Sequence, residues 1–261
     1  MGVDWQLFEV GPHEAACTVL LLPGGMCSAR SWLEVMEQPS LSRLRLVAAT
    51  MPGHAGAPPP EDYSHEACGR MTADLVARLG VDVVVGFSMG ANVALEMAEK
   101  KLFTGPTVLL GISLSARDES AFFVGLVRAS RFLGTAPLSA MKLAAGSMVK
   151  GIPVPKDRQA ELAADFRRTS TQEMRSGLLA YLAWLQSGED HAAMLCASGV
   201  PTWVVHAEQG DGGLTAGERR TLEGCPSVRV VTIPGKVFFL PNEVPDQVAT
   251  VINEAVAAAG A

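Results

Sequence analysis

Ser88 sits between Gly86 and Gly90 in the run Val83-Val84-Val85-Gly86-Phe87-Ser88-Met89-Gly90-Ala91-Asn92-Val93-Ala94. This is the spacing of a reactive serine on a sharp strand-to-helix turn, a nucleophile elbow. The serine takes a strained backbone conformation there, and glycines two residues away on either side let strand and helix approach without a Cβ clash. A serine so placed is the chain's candidate for a reactive group, and the chemistry open to a reactive serine is attack on a carbonyl. Its hydroxyl is weak at neutral pH unless a base takes the proton, and the developing oxyanion needs N–H donors aimed at it.

The flanking segments are those an elbow needs. Residues 81–85 are a β-branched run broken only by Asp82, short enough for a strand buried on both faces of a parallel sheet. Residues 89–100 carry Val93, Met97 and Ala98 at helical spacing and end at Lys100 and Lys101, where a helix C-terminus favours cations. Further apolar runs bounded by Gly and Pro lie at 17–22, 44–49, 107–110, 202–205 and 228–233, with helical stretches between most of them. That alternation predicts an α/β fold: a doubly wound, mostly parallel sheet. After Pro245, residues Val248, Val251, Ile252, Ala255 and Val256 form one helical stripe that should cover a sheet face.

One interval breaks the alternation. Residues 115–197 hold no convincing strand but four amphipathic helices, at 119–132, 138–149, 156–168 and 171–185, the last opened by a Ser170/Glu173 capping box. This reads as a helical cap inserted into a core made of 1–114 and 198–261. Phe122, Phe123, Met141, Met148, Tyr181 and Trp184 are its pocket candidates, with packing of cap on core the alternative role for each.

With 261 residues, 48% of them hydrophobic, the chain has ample material for a large core. Net charge is −6 and no long basic block occurs, so nucleic acid is not an expected partner. Five cysteines, Cys17, Cys27, Cys68, Cys196 and Cys225, show no C-x-x-C pair. They are expected to be free thiols in a reducing cytoplasm rather than a disulfide framework or a zinc site, and no metal is expected. The first residues carry no signal-peptide pattern, and Gln6 spoils a myristoylation site. No apolar run approaches the ~18 residues of a membrane span. A cytoplasmic chain with a small-molecule substrate or ligand, and no membrane partner, is the expectation.

Three motifs in this order resemble the α/β-hydrolase superfamily, of the cofactor-free type with a helical cap, along almost the whole chain. Residues 20–32, Leu-Leu-Leu-Pro-Gly-Gly-Met-Cys-Ser-Ala-Arg-Ser-Trp, look like its first strand, oxyanion loop and following Ser-Trp. Met51-Pro52-Gly53-His54-Ala55-Gly56 looks like its D-x-P-G-H-G loop, and the elbow is the third. The resemblance implies acyl transfer through Ser88 without a cofactor, with oxyanion donors from Gly25 and Met89 and a pocket that includes Met26. Pro23 replaces the histidine usual in the oxyanion loop, a histidine that is generally structural.

It also implies an acid and a histidine, in that order, after the elbow. The acid belongs near 210; Asp211 lies one residue beyond, just before the Thr215/Glu218 capping box, and is the candidate, with Glu208 and Asp118 behind it. The histidine is where this chain departs. The terminal signature I-P-G-x-G-H-F-x-x-x-E-x-P meets Ile233-Pro234-Gly235-Lys236-Val237-Phe238-Phe239-Leu240-Pro241-Asn242-Glu243-Val244-Pro245, so Phe238 occupies the place of the base. His54 and His206 are the candidates for a substitute, each with a structural alternative: loop-fixing for His54, packing for His206. His13, His65 and His191 come behind them. The functional expectation is hydrolysis of a small, partly apolar ester, thioester, lactone or other carbonyl compound with an atypical triad. The alternatives are a catalytically impaired ligand-binding protein and a cofactor-free non-hydrolytic enzyme, working by carbon–carbon cleavage or proton transfer.

Overall fold

The structure is a computed structural model, and it describes residues 4–210 and 213–260. Seven strands, β1 (Gln6–Val10), β2 (Thr18–Leu22), β3 (Arg45–Thr50), β4 (Val83–Phe87), β5 (Thr107–Leu110), β6 (Thr202–Gln209) and β7 (Val228–Lys236), form one sheet. Their order is β1-β3-β2-β4-β5-β6-β7. β1 pairs antiparallel with β3 and every other pairing is parallel. This is the α/β architecture expected. β2, β4 and β5 are buried at every residue, which is why they read as unbroken apolar runs. β1 has no such signature: it is a half-exposed edge strand.

The order reverses between β2 and β4, because the chain leaves β2 toward β3 and returns on β2's other side. At such a switch point the loops leaving two neighbouring strands diverge and open a crevice beyond their carboxyl ends. The loop after β2 and the elbow after β4 are therefore neighbours by topology.

Short α1 (Leu33–Met36) follows the first of these loops, α2 (His65–Leu79) precedes β4, and α3 (Met89–Glu99) leaves the elbow. Between β5 and β6 run α4 (Ala121–Leu133), α5 (Ala136–Met148), α6 (Lys156–Arg168), α7 (Thr171–Leu185) and α8 (His191–Ser198), with no strand among them. α9 (Ala216–Glu223) precedes β7, and α10 (Leu240–Glu243) and α11 (Pro245–Ala258) end the chain. α1, α10 and α11 pack on one sheet face and α2, α3, α8 and α9 on the other. The stripe expected on the last helix is buried at all five positions. Both capping boxes, Ser170 with Glu173 and Thr215 with Glu218, are formed.

One expectation needs correction. Cys196 and Cys225 are joined in a disulfide, with Cα atoms 5.5 Å apart, while Cys17, Cys27 and Cys68 are free. The two are 29 residues apart and meet because α8 packs beside α9, a contact that no cysteine spacing announces.

Candidate active site

Ser88 has φ 50° and ψ −120°, outside the regions open to ordinary L-residues, a strain of about 1–3 kcal/mol that the surroundings must hold. Both elbow glycines are sterically required. A Cβ on Gly86 would lie 2.6 Å from the Ala91 Cα, and one on Gly90 would lie 2.6 Å from the Pro23 carbonyl oxygen. The second clash shows how tightly the elbow seats against the loop after β2.

That loop closes over the serine from the other side. A Cβ at Gly24 would be 3.2 Å from the Phe87 ring and 3.6 Å from the Ser88 Cβ, and one at Gly25 would be 3.2 Å from the Met89 methyl. Among the described residues, the N–H groups of Gly25 and Met89 donate to no acceptor within the chain. The next N–H, of Met26, donates to His54 Nδ1 at 2.8 Å. Met26 itself sits at φ 67°, so the loop turns back on itself here.

His54 is 5% exposed, and burial pushes its pKa down to about 4. It is neutral at pH 7, and with Nδ1 accepting from Met26 the ring hydrogen is on Nε2. In that state neither nitrogen is free to take a proton. Its neighbour Ala55 donates its N–H to the Thr169 hydroxyl at 2.8 Å, tying this loop to the end of α6.

α6 is fastened to the segment following the glycine loop after β2 by buried charge. Asp165 accepts from the Ser28 N–H (2.9 Å), the Ser28 hydroxyl (2.6 Å) and Arg168. Arg158 donates to Glu34 on α1 at 2.7 Å and to the Arg30 carbonyl, and Asn242 joins the cluster through Glu34 at 2.7 Å. The sequence offers no sign of these long-range contacts.

Phe238 is 45% exposed. Its N–H and that of Phe239 both donate to Glu243, and its ring meets Phe239 edge-on at 4.9 Å. Phe239 in turn packs on Phe87, the residue before Ser88, at 6.1 Å. An aromatic ladder thus runs from the elbow outward in the register where a histidine was sought. The Ser88 hydroxyl makes no hydrogen bond among the described residues.

Asp211 and the side chain of Met148 lie outside the described residues. Glu208 accepts from the Gly235 N–H, linking β6 to β7 where their register shifts, and Asp118 accepts from the N–H groups of Leu114 and Ser115, closing a turn. Burial, with Glu218 beside it, raises Asp118 to about 6. His206 is buried within β6 opposite Thr232 of β7, between Val205 and Ala207, which point to the α11 side; its own side chain points to the other.

Met26, Met89 and Met141 come together in a cluster with Val127 of α4, Leu138 of α5 and Leu178 of α7. Two pocket expectations need correction. Phe122 is 78% exposed, because its helix buries the opposite side, Val124 and Val127. Trp184 is stacked between His65 (4.9 Å) and His191 (3.8 Å) and donates to Glu96 at 3.0 Å, so it belongs to the packing of α7 on the core.

The cleft beside the elbow has a different lining: Cys27, Phe87, Ile152, Leu162, Phe166 and Phe239, with Ser31 and Asn242 as its polar groups. It is tight, with room for about one water molecule. Cys27 is no rival nucleophile, since burial, and secondarily Asp165, push its thiol up to about 12.

Comparisons with known proteins agree with this architecture. Residues 19–251 match the model of a family described as Alpha/beta hydrolase family. A thermophilic esterase from Thermogutta terrifontis superposes with a TM-score of 0.75 at 18% identity, over 98% of this chain and 94% of that one. The thioesterase domain from the curacin biosynthetic pathway gives 0.69 at 18%, over 97% and 100%. The enol-lactonase from Burkholderia xenovorans LB400 gives 0.73 at 15%, over 98% and 97%. No curated protein matches the sequence.

Proposed function

The chain belongs to the alpha/beta hydrolase family, and from that premise we propose that it transfers the acyl group of a small, partly apolar ester, thioester or lactone to Ser88. The observation that carries this is a strained Ser88 whose hydroxyl has no partner among the described residues, next to a glycine loop whose Gly25 N–H, like that of Met89, is likewise uncommitted among them. Two such donors form an oxyanion hole, and each contributes roughly 10²–10³ in rate. The esterase, thioesterase and enol-lactonase among the structural neighbours are in keeping with that class.

Attack by Ser88 on the carbonyl carbon forms the C–O bond and places negative charge on the oxygen facing Gly25 and Met89. Collapse expels the alkoxide or thiolate, which takes a proton from water, and water then hydrolyses the acyl-serine. The hydroxyl proton of Ser88 leaves to solvent, since no described side chain is bonded to it. A positioned base is worth ~10²–10⁴, so turnover is slow for the fold.

Incubation with a fluorophosphonate followed by peptide mass spectrometry, alongside turnover of a short-chain p-nitrophenyl ester, tests this reading. One label on Ser88, and turnover lost in Ser88→Ala, is the expected result. An unlabelled protein whose ester turnover survives that substitution would overturn it.

The aromatic ladder at Phe238 favours a second reading, in which the same donors hold a carbonyl ligand without turning it over. Ligand recovered unchanged after prolonged incubation selects that reading, and recovered product excludes it.

A further inference from the structure

We propose that α4 and the corner leading to α5 are a docking face for an anionic lipid surface. α4, Ala-Phe-Phe-Val-Gly-Leu-Val-Arg-Ala-Ser-Arg-Phe-Leu, is apolar around most of its circumference, a composition that belongs to a helix buried on all sides. Only one side is covered within the chain: Val124, Val127 and Ser130 face α5 and α7. On the open side Phe122 is 78%, Phe132 88% and Leu133 66% exposed. Half of the large hydrophobic side chains exposed among the described residues thus stand on this one helix.

Charge identifies the occupant. The only charged residues of α4 are Arg128 and Arg131, both exposed and in no ion pair among the described residues. The bias extends along the chain: from 120 to 156 there are five Lys or Arg and no Asp or Glu, in a protein of net charge −6. Arginines flanking protruding aromatic and aliphatic side chains match a surface with anionic groups outside and an apolar layer a few ångströms beneath. A leaflet containing anionic phospholipid has that profile. Phe132 and Leu133 stand at a corner just before Gly134, a projecting shape suited to entering between headgroups.

The expectation of no membrane partner rested on the lack of a spanning segment. Among the described residues no helix is long and apolar enough to cross a membrane, but a helix lying in the interface needs no such length. α4 is already a capped helix in the free chain, with Ser120 accepting from the Phe123 N–H, so docking need not fold it.

Co-sedimentation of the full chain with phosphatidylcholine vesicles, with and without phosphatidylserine, tests the proposal. Sedimentation with the mixed vesicles only is expected, weakened by raised salt and by roughly tenfold or more in Arg128→Glu/Arg131→Glu and, separately, in Phe132→Ser/Leu133→Ser. Failure to sediment with the mixed vesicles, equal sedimentation with both kinds, or variants that sediment like the parent would each overturn it. So would self-association in vesicle-free sedimentation velocity that the same substitutions abolish, because that result assigns the face to a second copy. None of these readouts depends on turnover at Ser88.

Discussion

The two sides of Ser88 are built differently. On the side where a carbonyl would bind, the main chain carries the design: a strained serine, glycines that cannot accept a Cβ, and the β2 loop pinned by His54 and Asp165. Proton removal would have to be carried by side chains, and in the register where a histidine was sought the chain carries Phe238, edge-on to Phe239, which packs on Phe87. Main-chain preorganisation is distributed over many contacts that also hold the fold together. Proton transfer rests on one side chain, so a single replacement removes it while the stability and geometry of the other side survive.

Substitutions on either side separate the two. Ser88→Ala should abolish fluorophosphonate labelling altogether, read by mass spectrometry; persistent label would place the nucleophile elsewhere. Phe238→His puts an imidazole in the register where the base was sought, and ester turnover should rise, toward the lower end of the ~10²–10⁴ that general-base catalysis supplies. An unchanged rate would show that this position does not reach Ser88. Arg158→Ala removes a buried guanidinium, leaves the partly buried Glu34 with Asn242 alone, and should cost about 3 kcal/mol in urea unfolding. A loss under about 1 kcal/mol would mean the α6 anchor is not what steadies the binding side.

The smallest effect concerns His54. Its folded pKa, about 4, lies below its ordinary 6.5, so both states are neutral above that value. As pH falls from 6.5 toward 4 the unfolded chain takes up a proton that the folded chain refuses, and stability drops. Between pH 7 and 5 the loss from this residue should be about 2 kcal/mol. His65, buried with a pKa of about 3, adds a loss of the same sign, and His191, raised by Glu99, opposes it. The clean reading is therefore the difference between the parent and His54→Gln, measured by urea melts at the two pH values. Parallel pH dependences would show that His54 is not held neutral on the Met26 N–H.

What was legible in the chain follows the same division. Buried parallel strands and capped helices announce themselves locally, so β5, α6 and α7 lie where apolar runs, periodicity and Ser170 place them. β1 escaped because a half-exposed edge strand has no continuous apolar run, and α8 because eight residues hold little periodicity. The elbow and the glycine loop are short-range patterns and could be read. The lining of the cleft could not: Ile152, Leu162 and Phe166 reach it only through the way α6 docks on Ser28 and Glu34. Phe122 misled for a simple reason, since its helix carries apolar side chains on more than one side and buries the side opposite to it.

The pH dependence of fluorophosphonate labelling at Ser88 tests most directly whether the binding side works without a positioned base. With the hydroxyl proton leaving to solvent, the labelling rate should climb about tenfold per pH unit from 5 to 9 with no plateau. A rate that levels off with a midpoint between about 6 and 7.5 would reveal an imidazole on Ser88 and contradict the division drawn here.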